Sequence, residues 1–240
     1  MKKLARKSGS KVTNTLKLVH GWQNDGQQKE LFYEDSDETL CPAGCGEAES
    51  RMHFIQCQAP HLHASHIKRR EEFRRVHGKL KTEKVIYERF MRIFISLRMG
   101  DAPPSPATHY DSALDMMVQR AWDEQRDIGW DQILKGRISK YWGMAQAMFY
   151  SNSPHIRGKQ CFSGTLWAVK TVRSLLNFSL DLWNDRCNTM HGEDGEERKR
   201  IAHAKITKRV MKLYVRREDV ERQYGYVFRE GVDSLITRST

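Results

Sequence analysis

The chain lacks long apolar runs and has fewer acidic than basic residues. No stretch approaches the roughly 20 apolar residues needed to cross a bilayer, so we expect no membrane partner. Asp and Glu number 30 against 41 Lys and Arg in 240 residues, which gives a formal net charge of +11. Such a surplus favours polyanions, RNA or DNA, as partners. A solvated basic surface without a specific partner would show the same composition.

Cysteine is also scarce. Five cysteines, an odd number, do not suggest a disulfide framework, so we expect a reducing compartment. The N-terminus is basic but no apolar core follows it, so we expect no secretory signal. Cys161 and Cys187 lie in apolar helical surroundings and are predicted to pack as small hydrophobic residues.

Three of the cysteines and one histidine have the spacing of a metal site, C-x3-C-x7-H-x3-C. These residues are Cys41, Cys45, His53 and Cys57. Gly44 and Gly46 favour a tight turn around the first pair, while His53 and Cys57 are one helical turn apart and share a face. Three thiolates and an imidazole form a closed tetrahedral set for Zn²⁺, with no position left for water. The pattern therefore predicts one structural zinc ion rather than a catalytic one. The alternative is an ordinary loop with unrelated thiols.

Three more histidines, His61, His63 and His66, follow the last of these cysteines. One of them is a further candidate ligand, able to take the place of His53. Histidines in such a segment are more often solvated or in contact with phosphate, and we favour that interpretation.

Apolar residues recur with helical spacing along most of the chain. Leu16, Val19 and Trp22 predict a short helix that ends near Gly26. Later helices are predicted over about 111–126, 130–150 and 165–190, and a basic one from near Gly195. The sequence thus predicts a mainly α protein, a small zinc-knuckle module followed by a bundle of about four to six helices. The predicted segments are a basic arm (1–13), the zinc-knuckle module (14–60), a basic helical segment (61–100), a Pro-rich linker (101–110), the helical bundle (111–192) and a basic C-terminal helix with its tail (193–240).

Two sets of large side chains are predicted to face the core. The first is a helical stripe of Ile86, Phe90, Ile93, Phe94 and Leu97. The second comprises the tryptophans Trp122, Trp130, Trp142, Trp167 and Trp183. The alternative for the tryptophans is a platform on which bases stack, which would require exposure among Arg or Lys.

The knuckle also carries a recognisable sequence context. Cys41-Pro42 is followed by Cys45-Gly46, two acids (Glu47 and Glu49), His53-Phe54-Ile55 and Cys57, and "KLVHGWQNDGQQKELF" precedes it. This pattern resembles the zinc-binding segment found after the polymerase and thumb in reverse transcriptases of non-LTR retrotransposons. The stretches "AWDEQRDIGWDQILKGRISKYWGMAQ" and "LWNDRCNTMHG" are similar to tail segments of retroelement proteins. The resemblance covers roughly residues 14 to 192, and its specificity is concentrated in 41 to 57.

Two departures from the family pattern matter. Three residues separate Cys41 from Cys45, where two are commoner. The Asp-Asp pair of the polymerase active site is missing from the sequence. The chain therefore looks like the C-terminal part of such an element, or like a separate reading frame derived from one.

The resemblance and the charge together imply a nucleic-acid-binding module that binds the backbone of retroelement RNA or its DNA target. We expect salt-sensitive binding with little sequence specificity and no small-molecule substrate. The resemblance also implies association with a polymerase domain and a nuclear or cytoplasmic location. The predicted phosphate contacts near the knuckle are Lys68, Arg69, Arg70, Arg74 and Arg75. Further predicted contacts are Lys2, Lys3, Arg198, Lys205 and Arg209.

Other functions fit parts of the sequence. One is a helical protein-interaction or scaffolding role without nucleic acid. Another is a Mg²⁺-dependent nuclease, for which Glu197-Arg198-Lys199 offers a Glu-x-Lys triplet, although no Pro-Asp step accompanies it. Arg186, Asn188 and His191 either contact phosphate or form a polar helix end before Gly192, and we favour the helix end. We expect no catalytic activity.

Overall fold

The computed structural model describes residues 12–21, 40–41, 43–106, 112–219, 225–226, 228–231 and 234. Within these residues the chain is helical and contains no β-strand, only an isolated antiparallel bridge between Leu40 and Ala48. In the described part, 3-10 helices include Asp131–Lys135 and Arg217–Asp219. The predicted mainly α fold, with a Cys/His module ahead of the helices, is confirmed. The α-helices of the described part are α1 (12–20), α2 (His53–Gln56), α3 (Pro60–Lys79), α4 (Lys84–Met99), α5 (Ala113–Ile128), α6 (Lys140–Asn152), α7 (Gly164–His191) and α8 (Gly195–Val215).

The chain forms two compact units, Met1–Arg186 and Cys187–Thr240. In the first unit, helix α4 supplies much of the core, as its apolar stripe predicts. Phe94 stacks on Phe178 with ring centroids 4.6 Å apart, and Phe90 lies 5.2 Å from Trp142. The predicted core position is confirmed for three buried tryptophans, whereas the other two are partly buried against the same core. The buried three are Trp122, Trp142 and Trp167.

Helices α3 and α7 pack against each other in antiparallel directions. At the middle of α3, the Arg69 guanidinium lies 3.1 Å from the carboxylate of Asp185, close to the end of α7. Near the end of α3, the His77 ring lies 5.9 Å from the ring of Trp167, close to the start of α7. The two helices therefore bury a long shared face.

A pair of glycines allows α6 and α7 to approach closely. A Cβ atom added to Gly164 would lie 2.2 Å from the carbonyl oxygen of Gly143. No side chain can be accommodated at that separation, so the backbones meet directly. This contact fixes the start of α7 against the core.

Several details differ from the sequence-based expectations. The helix predicted over 130–150 is interrupted, because Gly136 adopts a left-handed φ of 76° and Ser139 caps a new helix start. Cys161 is exposed, so the prediction that it packs as a small hydrophobic residue is wrong; it lies in a turn before α7 rather than in a helix. In α1, Leu18 is the buried residue and Leu16 is exposed. Trp22, Gly26 and residues 1–11 of the arm lie outside the described residues.

The described part of the second unit consists mainly of α8. Asp194 caps this helix, and its carboxylate accepts a hydrogen bond of 2.8 Å from the backbone nitrogen of Glu197. None of the 21 residues of α8 is buried. In the residues that the structure describes, no helix combines the length and the apolar character that crossing a membrane requires.

Candidate metal centre

The loop from Cys41 to Ala48 folds back on itself. The Cys41 nitrogen donates a 2.8 Å hydrogen bond to the Glu47 carbonyl, and the Gly44 nitrogen donates a 3.0 Å bond to the Cys41 carbonyl. Gly44 and Gly46 have φ values of 76° and 82°, which glycine adopts without strain. The loop geometry thereby turns the Cys41 and Cys45 side chains toward one point.

Helix α2 delivers the other two ligands from the opposite side. The Cys57 nitrogen donates a 2.7 Å hydrogen bond to the His53 carbonyl, so the two residues are separated by one helical turn. The His53 Nε2 atom lies 3.2 Å from Cys45 Sγ, and Cys41 Sγ lies 3.6 Å from Cys57 Sγ. All four ligand atoms lie within 4.8 Å of one another. A tetrahedron with metal–sulfur bonds of about 2.3 Å has sulfur–sulfur edges of about 3.8 Å, so the four atoms fit one metal ion.

The protonation states of the ligands depend on whether a cation is bound. Burial raises the pKa of the Cys57 thiol to about 12 and also raises the pKa of Cys41. Burial lowers the pKa of His53, which keeps its imidazole neutral, as a metal ligand must be. A bound metal ion would lower the pKa values of these thiols, because coordination removes their protons. The site therefore disfavours ionised thiols when no cation is present and favours them when a cation is bound.

A buried arginine lies beside the cluster. Arg98 is 8% exposed, and its Nη1 atom donates a hydrogen bond of 3.1 Å to the carbonyl oxygen of Ile55. Its Nη2 atom lies 2.8 Å from Nδ1 of His63, which must accept because a guanidinium only donates. No carboxylate of the described residues forms an ion pair with Arg98. Burial lowers the pKa of Arg98, whereas the Cys57 sulfur, when ionised, is a nearby negative charge that favours the charged guanidinium.

A buried ion pair attaches the metal module to α7. Glu49 and Arg186 form an ion pair, and each residue is only 3% exposed. The Arg186 guanidinium also lies 4.4 Å from the Trp183 ring centroid, and the Phe54 ring meets Trp183 edge-on at 5.7 Å. Residues on both sides of His53 are thus docked on the long helix α7.

The second histidine cluster does not join the metal site. His66 is buried against Phe178 at a ring distance of 5.5 Å, so the expectation that it faces solvent or phosphate is wrong. Its position on α3 points it into the core. His61 and His63 are exposed. The four residues predicted as ligands are the ones that the structure brings together.

Some of the cations predicted to contact phosphate on α3 have carboxylate partners, and the others differ in exposure. Arg69 is largely buried and lies 3.1 Å from both Glu72 and Asp185, and Arg74 lies 2.9 Å from Glu71. Arg70 is partly buried, whereas Lys68 and Arg75 are exposed.

The remaining predicted contacts lie at the two ends of the chain. Lys2 and Lys3 lie outside the described residues. Arg198 Nε donates to the Gly192 carbonyl at 3.0 Å, and Lys205 Nζ donates to the Met190 carbonyl at 3.3 Å. Both side chains therefore cap the C-terminal end of α7, where carbonyl groups lack helical partners. Arg209 is exposed.

Glu197, the candidate nuclease carboxylate, also has a local role. One of its oxygens accepts a hydrogen bond of 2.8 Å from the backbone nitrogen of Glu193, before the start of α8.

Sequence reasoning missed the charged residues that surround the metal site. Glu49 and Arg186 are 137 positions apart, and Arg98 and Ile55 are 43 positions apart. No local spacing relates such residues, so their pairing was not visible in the pattern.

Comparisons of the chain with protein-family models, with curated proteins and with solved structures found no match.

Proposed function

We propose that this protein is a zinc-stabilised module that binds the phosphate backbone of nucleic acids and has no catalytic activity of its own. The cluster suits zinc, because three thiolates with one imidazole are a common set of ligands in structural zinc sites. The set is closed, which supports a structural role for the ion. In this role the metal holds the loop and α2 together, so that Glu49 and Phe54 remain docked on α7.

The observation that carries the binding proposal is the composition and exposure of α8. Its sequence contains seven Lys and Arg against two acids, and none of its residues is buried. A 21-residue helix usually buries an apolar face, since packing supplies most of its stability. A basic helix with no buried residue in the described part of the chain is suited to contact a polyanion.

Five of the cations of α8 and its C-terminal turn lie in one row. At about 100° per residue they fall within a sector of about 60°, and they extend over about 27 Å. Arg198 and Lys205 in this row cap α7, while Arg209 is exposed. Lys208 borders the row. The row consists of Arg198, Lys205, Arg209, Lys212 and Arg216.

Backbone binding by such a row would depend on salt and not on sequence. Each neutralised phosphate releases condensed counterions, so the logarithm of the binding constant falls with the logarithm of salt concentration. Contacts to phosphate position a protein but carry no sequence information. The resemblance to the reverse transcriptase zinc-binding segment supports RNA or DNA as the polyanion.

Charge reversal tests the proposal. Fluorescence anisotropy with a labelled DNA duplex would be measured at several salt concentrations for the wild type and for Lys208→Glu with Arg209→Glu. We expect weaker binding and a salt slope that is lower by about 1.8, since each lost contact contributes about 0.9. The matched control is Lys84→Glu with Arg92→Glu, which reverses two exposed cations of α4. Absence of wild-type binding at low salt, or equal losses in both double variants, would contradict the proposal.

A further inference from the structure

A groove of about 440 Å³ lies between the antiparallel helices α3 and α7. This volume is within the range of sites that hold small ligands, about 300–1,000 Å³. Phe73, Val76 and Phe178 contribute its apolar lining, and Ser174 and Asn177 contribute uncharged polar groups. The groove lies in the first unit and shares no residue with α8 or with the metal ligands.

One end of the groove carries more negative than positive charge. Arg69 lies there within 3.1 Å of Glu72, within 3.1 Å of Asp185 and 3.7 Å from Asp181. Three carboxylates thus surround one guanidinium. This end offers no free positive charge for an anionic ligand.

The opposite end is positive. Lys170 and Arg173 line the groove on α7, and both are exposed. On α3, Arg75 precedes the lining residue Val76, and Lys79 follows it by three residues; both are exposed but do not line the groove themselves. The contact of His77 with Trp167 places these parts of the two helices side by side. None of the four cations forms an ion pair with another described residue, so they favour a ligand with more than one negative charge.

The ligand must combine negative charge with a small apolar body. Lys and Arg at the rim suit phosphate groups. The lining beyond them, with an amide and a hydroxyl among apolar side chains, suits the face and edge of an unpaired base. A duplex cannot enter a space between two packed helices with its bases stacked inside. A single strand can, because its bases are free to leave the stack.

We propose that this groove binds single-stranded nucleic acid, with phosphates at Arg75, Lys79, Lys170 and Arg173 and one unpaired base beside Asn177. The inference deepens the proposed function, on which it rests for the class of ligand, by naming the strand state that the first unit selects. It uses residues other than the cations of α8. The two sites can therefore be tested separately.

The test uses the full chain, a labelled 12-nucleotide oligouridine and a duplex of the same length. Lys170→Glu with Arg173→Glu is expected to reduce the affinity for the single strand by at least about tenfold, and its salt slope by about 1.4, since each single-strand contact contributes about 0.7. Asn177→Leu, which keeps the size but removes the amide, should reduce single-strand affinity by about fivefold, the effect of one hydrogen bond. In both variants the affinity for the duplex should change less than the affinity for the single strand. Lys84→Glu with Arg92→Glu again serves as the charge-matched control.

A photo-crosslink identifies the contact directly. With 4-thiouridine in the oligonucleotide, mass spectrometry should locate the adduct in the stretch 69–79 or 170–181. Equal loss of duplex and single-strand affinity, unchanged single-strand affinity in the groove variants, or an adduct confined to α8 would overturn the groove proposal while nucleic-acid binding itself stood. Failure of the wild type to bind either probe would overturn both proposals.

Discussion

Arg98 donates a hydrogen bond of 3.1 Å to the carbonyl oxygen of Ile55, two residues before the ligand Cys57. The arginine is buried and has no carboxylate partner among the described residues. A buried charge without a counter-charge typically destabilises the folded protein by several kcal/mol. Three thiolates, a neutral imidazole and a divalent cation sum to one negative charge. A metal-loaded cluster would therefore supply the counter-charge that Arg98 lacks.

Replacement of this arginine should weaken metal binding. We expect Arg98→Gln to lower zinc affinity by about 10- to 100-fold, the usual effect of losing a group that supports a metal ligand. Arg98→Lys, which keeps the charge, should recover part of the loss. The measurement is competition with a chromophoric chelator, and Arg92→Gln on the exposed side of α4 is the control. Unchanged affinity in a folded Arg98→Gln protein would show that the guanidinium does not balance the cluster.

The buried Glu49–Arg186 pair should contribute strongly to stability. Glu49→Gln leaves the Arg186 charge buried and unpaired, which typically costs about 3–5 kcal/mol. Urea unfolding of the zinc-loaded protein measures the loss in the free energy of unfolding. Glu196→Gln, which breaks an exposed pair with Lys199 at 3.0 Å, should cost no more than about 1 kcal/mol. Similar costs for the two variants would refute the docking role of the buried pair.

Two buried histidines should make the protein sensitive to acid. Burial lowers the pKa values of His66 and His77 to about 3, below their ordinary value of 6.5. The unfolded chain therefore binds more protons between these values, so stability is complete above about pH 6.5 and is lost as the pH falls toward 3. Each histidine should reduce the free energy of unfolding by about 2 kcal/mol between pH 8 and pH 5.

A substitution isolates the effect of one histidine. Neither ring nitrogen of His66 has a hydrogen-bond partner among the described residues, so His66→Leu should be tolerated. It should remove about 2 kcal/mol of the stability difference between pH 8 and pH 5, as measured by urea unfolding. His155→Gln, at an exposed position, should leave the difference unchanged. An identical pH dependence in His66→Leu and wild type would rule out this histidine as a source of acid sensitivity.

The features predicted correctly from the sequence are those that local spacing determines. The stripe of α4 recurs every three or four residues, and the clustered Cys and His residues of the candidate metal centre combine a turn with a single helical turn. The helix break at Gly136 was not predicted, because the apolar pattern continues across this residue and does not reveal its left-handed backbone. His66 was misjudged because it follows two other histidines, His61 and His63, which are exposed, whereas its own ring lies against Phe178. Arg98 and Glu49 depend on contacts with distant residues, which periodicity does not reveal.

X-ray absorption at the zinc edge tests the account of the metal centre most directly. The protein would be purified without chelator, its zinc content measured, and Cys45→Ser prepared alongside it. We predict one zinc per chain with three sulfur atoms at about 2.3 Å and one nitrogen at about 2.0–2.1 Å, and loss of a sulfur or of the metal in the variant. Absence of zinc from the folded protein, or a shell made only of oxygen and nitrogen, would contradict the account.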